Sequence, residues 1–160
     1  MPTLIGETAD VALALSTRKG TAIKNYHCPK FPEDGDCLQV SDWKQKYRDV
    51  THRPSPPSPG YNCHGLTFGS RRTGINEPSE ILRILKEDGY RSLGDSEKIY
   101  PGDIAIYIQD GEITHSGIVV WVPGKTPLIL SKWGRYHEAI HKPWDCPYNG
   151  ANVTYHRLDR

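Results

Sequence analysis

Over residues 100–133 apolar and polar positions alternate in an orderly way that the first third of the chain lacks. Tyr100-Pro-Gly-Asp103 reads as a turn into Ile104-Ala-Ile-Tyr-Ile-Gln109, where isoleucine recurs at every second position, the period of a strand. Asp110-Gly111 is a strong two-residue hairpin signal. The returning strand is Ile113-Thr-His-Ser-Gly-Ile-Val-Val-Trp-Val122, and Pro123-Gly124 breaks it. Leu128-Ile-Leu-Ser-Lys-Trp133 predicts a third strand and Asn152-Val-Thr-Tyr-His156 a last one. Upstream, residues 77–89 predict a helix: Pro78 suits the first turn, Ile81, Leu82 and Leu85 share a face, and Gly89 stops it. A helical segment followed by an antiparallel meander is an α+β architecture.

The N-terminal part gives weaker signals. Residues 1–53 read as an irregular extension with an apolar patch at 11–15, a Pro/Asp/Gly-rich stretch at 29–36 and a short helix over 41–47 capped by Ser41. Arg53-Pro-Ser-Pro-Pro-Ser-Pro-Gly60 follows, and four prolines within six residues enforce a stiff, extended connector. It delivers the chain into Tyr61-Asn-Cys-His-Gly-Leu-Thr-Phe68, the start of a core spanning 61–160. At 160 residues the chain is one domain.

Composition narrows the function classes. The formal charge of +1 gives no field for non-specific binding to nucleic acid or membrane. No apolar run approaches the roughly 18 residues of a membrane span. The five-residue run Val11-Ala-Leu-Ala-Leu15 lacks a signal peptide's layout, so the sequence predicts a cytoplasmic protein, or one exported without an N-terminal signal peptide. The four cysteines, Cys28, Cys37, Cys63 and Cys146, form no Cys-x-x-Cys pair, which favours free thiols over a zinc knuckle. A zinc site could draw on Cys28, Cys37, His27 and His52.

Two residues carry candidate chemistry. A helix N-terminus lowers a thiol's pKa, and Cys63 follows Asn62, a good N-cap, with helix excluded upstream by the prolines. Its backbone N–H would lie where an oxyanion hole needs a donor. His115 lies on an otherwise apolar strand, sharing a face with Gly117, Val119 and Trp121 by the period of two. A titratable side chain on a core-facing row needs a partner. A histidine satisfied by a backbone carbonyl meets that need as well as a catalytic base does.

Tyr61-Asn-Cys-His-Gly-Leu-Thr-Phe68, Pro101-Gly-Asp-Ile-Ala-Ile-Tyr107 and Thr114-His-Ser-Gly-Ile-Val-Val120 together resemble the NlpC/P60-like branch of papain-like cysteine peptidases. That family carries an aromatic-Asp-Cys-Ser-Gly-Leu motif opening a helix, a Pro-Gly-Asp turn, and a Ser-His-Val-Gly-Ile strand holding the base. The resemblance covers roughly residues 60–135 and departs from the pattern at Asn62 and His64. It implies a papain-like core, with a helical segment bearing the nucleophile packed on the meander. It further implies Cys63 as nucleophile, His115 as base, and either Ser131 or His141 as the group that orients the imidazole, with His137 and Glu138 weaker contenders. Tyr61, His64, Lys132 and Trp133 become candidates for substrate binding, although Trp133 suits a core position equally.

The implied reaction is amide hydrolysis without cofactor or metal, and the implied substrates are peptides, first of all peptidoglycan stem peptides. An injected toxin or a phage-borne lysis protein would reach such a substrate, the former with an inhibitor or immunity protein as partner. The same dyad also fits a deamidase, a deconjugating peptidase or an acyltransferase. An inert papain-like site or a zinc-binding module is the non-enzymatic alternative.

Overall fold

The computed structural model describes residues 13–28 and 32–159. The elements run α1 (Asp34–Lys46), β1 (Thr51–His52), α2 (Cys63–Phe68), α3 (Pro78–Glu87), β2 (Tyr90–Ser92), β3 (Ile104–Gln109), β4 (Glu112–Trp121), β5 (Leu128–Lys132), β6 (Glu138–His141) and β7 (Asn152–Leu158). The strands form one antiparallel sheet in the order β1-β6-β5-β4-β3-β7-β2. The fold is therefore α+β, with the expected meander β3-β4-β5 at its centre.

The β3–β4 hairpin closes on Asp110 and Gly111, both in the left-handed region at φ 52° and 79°, as a primed turn requires. Its alternation separates two cores. Ile104 and Ile106 meet Ile23, Ile75, Ile81, Ile84 and Leu85 on the side covered by α3. Ala105 and Tyr107 pack on the other side with Tyr47, Val119, Ile129, Trp133 and Cys146. A register shift between Val119 and Trp121 turns Trp121 out of the row the period assigned to it, and it is exposed.

Three parts differ from the sequence expectation. The N-terminal helix starts at Asp34 rather than Ser41, because Asp36 returns to accept the Glu33 backbone N–H at 2.9 Å and Asp34 and Asp36 suit the positive end of the helix. Residues 34–52 are not an irregular extension: α1 sets Trp43 edge-on against Trp133, and β1 pairs with β6. Residues 13–28 are also tied down, with Tyr26 and Gly74 exchanging backbone bonds of 2.9 and 2.8 Å. Of the apolar patch at 11–15, Val11 and Ala12 lie outside the described residues. β7 does not extend the meander; it inserts beside β3. Among the described residues no helix is long and apolar enough to cross a membrane.

Candidate active site

Cys63 is the first residue of α2, and Asn62 caps it. Asn62 Oδ1 accepts from the backbone N–H of Gly65 at 2.9 Å and of Ile75 at 3.1 Å, while Nδ2 donates to the Ile75 carbonyl at 2.8 Å. An aspartate could accept both bonds but could not donate the third, which accounts for the departure from the resembled motif. Gly65 is needed because a Cβ there would stand 1.8 Å from the Thr73 carbonyl oxygen.

β5 pairs with β4 only from Ile118 onward, so the stretch of β4 before it has no strand on that side. α2 packs against β4 and β5 there. On the α2 side, His64 Nδ1 and the Ser116 hydroxyl lie 2.7 Å apart, Ser116 bonds to Thr67 at 3.0 Å, and the Thr67 hydroxyl bonds to the Cys63 carbonyl at 2.9 Å. His115 projects to the opposite face, opposite Tyr107 in the register. Cys63 lines a cleft together with Tyr148, whose ring lies flat on His115.

The cleft encloses about 600 Å³. Four tyrosines, Tyr26, Tyr61, Tyr136 and Tyr148, line it with Cys28, Cys63, His64 and Arg135, and among the described residues no carboxylate does. Of the proposed substrate contacts, Tyr61 and His64 line it, whereas Lys132 and Trp133 do not. Trp133 is wholly buried, edge-on to Trp43 and Tyr47, and is a core residue. Lys132 is also buried, its Nζ donating to the carbonyls of Ser58 at 2.6 Å and Gly134 at 2.9 Å and lying 4.6 Å from the Tyr61 ring centre. It braces the two loops flanking the cleft.

Electrostatics at Cys63 differ from the simple expectation of a lowered pKa. Burial pushes the thiol up to about 11, outweighing the backbone N–H groups of Ser116, His64 and Cys63 and the charge of Lys132, which all favour the thiolate. Burial likewise holds His115 well below the ordinary imidazole value, and the fields of His141 and His64 add to it. The resting pair is a neutral thiol and a neutral imidazole. They are not hydrogen-bonded to each other, and among the described residues neither His115 nitrogen has a partner.

Ser131 and His141 are both buried and lie 2.6 Å apart, oxygen to Nε2. His141 Nδ1 stands 2.7 Å from the Lys142 carbonyl, so it carries the proton and Nε2 accepts from the Ser131 hydroxyl. Neither residue bonds to His115, although both share its face of the sheet. His137 pairs instead with His52 at 2.7 Å.

Glu138 accepts from Tyr61 at 2.6 Å and from Arg71 at 2.7 and 3.1 Å, and its backbone N–H reaches Ser55 at 3.0 Å. Burial opposes its ionisation, but the bonds from Arg71 and Tyr61 hold it below the usual carboxylate range. It thereby ties the segment before Cys63 and the connector to β6. Nothing in the local sequence announces this role, or that of Tyr148, because each depends on a partner more than 30 positions away. Among the described residues no three His, Cys, Asp or Glu side chains converge as metal ligands. Compared with known proteins, the chain matches no protein-family model, no curated protein and no solved structure.

Proposed function

We propose that the protein is a cysteine-dependent amide hydrolase with a papain-like core of the NlpC/P60 type, in which Cys63 is the nucleophile and His115 the base. The supporting observation is the placement of Cys63 at a capped helix start, in the wall of a cleft, with the amide after His115 directed at its sulfur. His115 is held in the neutral form that a base requires.

Because the resting pair is neutral, the thiol proton passes to the imidazole as sulfur attacks the carbonyl carbon and the S–C bond forms. Backbone N–H groups near the sulfur receive the oxyanion. On collapse the C–N bond breaks and the imidazolium protonates the departing amine. Water, deprotonated by His115, then cleaves the thioester and restores the thiol. The reaction uses no cofactor.

Peptidoglycan stem peptides are the first substrate class in this reading, reached in the manner of an effector toxin or a lysis protein. Incubation with purified peptidoglycan and with a panel of protein substrates, read by product mass, tests the proposal. Products should vanish in Cys63→Ala and His115→Ala; products that persist in Cys63→Ala would overturn it. The absent Cys63–His115 hydrogen bond favours a second reading, an inert papain-like module, for which no substrate leaves an acyl group on Cys63.

A further inference from the structure

Among the described residues His115 has no hydrogen bond to hold its ring. What touches it instead is aromatic: the Tyr148 ring lies parallel at 3.7 Å with an interplanar angle of 7°, and Tyr107 meets it edge-on at 5.0 Å. The Tyr107 hydroxyl donates to the Pro143 carbonyl at 2.7 Å, and the buried Cys146 thiol reaches the same oxygen at 3.5 Å. Residues 143–148 are thus strapped to β3, and Tyr148 at the end of the strap lies over the imidazole. Tyr148 lines the cleft beside Cys63, whereas His115 does not and is wholly buried.

We propose that Tyr148 is the positioning residue of His115, lying flat on the imidazole to fix its plane and to keep the water of the cleft off that face. This rests on the reading of Cys63 and His115 as nucleophile and base. In triad enzymes a polar third group orients the imidazole through a hydrogen bond. Here Ser131 and His141 are bonded to each other, and a stacked ring takes that part. A flat aromatic contact restrains rotation about the last side-chain bond while leaving the in-plane nitrogens free to exchange a proton with sulfur and substrate.

The groups facing His115 are His141 from β6, His64 from α2, the phenols of Tyr107 and Tyr148, and the Cys63 thiol at the cleft wall. None supplies a negative charge at neutral pH, so removing the stacked ring should admit water and let the imidazole titrate nearer its ordinary value.

The test uses the full chain with Tyr148→Phe, Tyr148→Leu and Tyr148→Met, histidine ring NMR from pH 4 to 8, and hydrolysis of p-nitrophenyl acetate as the chemical probe. Tyr148→Phe, which keeps the ring, should retain the wild-type His115 titration and turnover within about threefold. In Tyr148→Leu and Tyr148→Met the His115 midpoint should rise by about one unit or more, and kcat should fall about tenfold with little change in KM. The wild-type His115 ring protons should also show the upfield shift of a stacked aromatic neighbour, a readout that needs no variant to fold. An unshifted titration and unchanged kcat in the Leu and Met variants would overturn the proposal, as would a Phe variant as impaired as they are, or wild-type ring protons without the upfield shift. If hydrolysis survives in Cys63→Ala and His115→Ala, the dyad itself is wrong, while the titration shift still reports whether Tyr148 holds His115.

Discussion

Cys63 is subject to two opposed influences, a helix start that favours its thiolate and a buried setting that opposes it. Burial wins, with the thiol up at about 11. At pH 7 only about one thiol in ten thousand is then ionised. Iodoacetamide should therefore label the exposed Cys37 first, and Cys63 and the similarly buried Cys146 last, when peptides are mapped by mass. Preferential labelling of Cys63 would mean that the helix start prevails. The imidazole's shift has the complementary consequence for turnover. A base held well below its ordinary value stays unprotonated as the pH falls, so the acid limb of the rate profile should lie below pH 6.5. A limb at the ordinary imidazole value would contradict the buried geometry of His115.

For α2, the decisive feature is its cap. One bond from Asn62 caps the helix at Gly65 and two more join that start to the backbone at Ile75. Asn62→Ala should cost about 2 kcal/mol and lower Tm by about 4–8 °C by calorimetry. Asn62→Asp restores both accepted bonds but strands the Ile75 carbonyl and sets an anion beside the thiol. It should recover part of the Tm while lowering the thiolate fraction and turnover. A fully active, fully stable aspartate variant would show that the donated bond is unimportant. The helix start, its cap and the β3–β4 hairpin were legible from sequence, because each is built from residues within a few positions of one another. α1 was placed seven residues late, since Asp34-Gly-Asp36 has the composition of a turn and only the return of Asp36 to Glu33 makes it a cap.

Across the whole molecule, buried histidines dominate the response to acid. Burial lowers His64, His137 and His141 to about 4 and holds His115 well below the ordinary imidazole value, with His52 and two lysines adding to the effect at His137. His52 Nε2 donates to the Tyr47 carbonyl and its Nδ1 accepts from His137 Nε2. The unfolded chain binds protons at these sites near pH 6.5 and the folded chain only near pH 4. Stability is therefore fully present above pH 6.5 and is lost as the pH falls towards 4. Calorimetry should show Tm dropping by about 10 °C or more between pH 7 and pH 4.5. A flat profile would mean that these rings are hydrated in the native state. Glu138 and Asp103, held below the usual carboxylate range, add losses only at lower pH.

By itself the sequence determined the α+β class, the central strands, α3 and the capped start of α2 at Cys63, because period, turn chemistry and capping are short-range. Only the tertiary structure decided that β7 inserts beside β3, that β1 and β6 extend the sheet, and that Trp133 belongs to the core. It also decided that Ser131 and His141 bond to each other, leaving His115 to Tyr148. These outcomes depend on which distant surfaces bury each other, and no local pattern encodes the choice of partner.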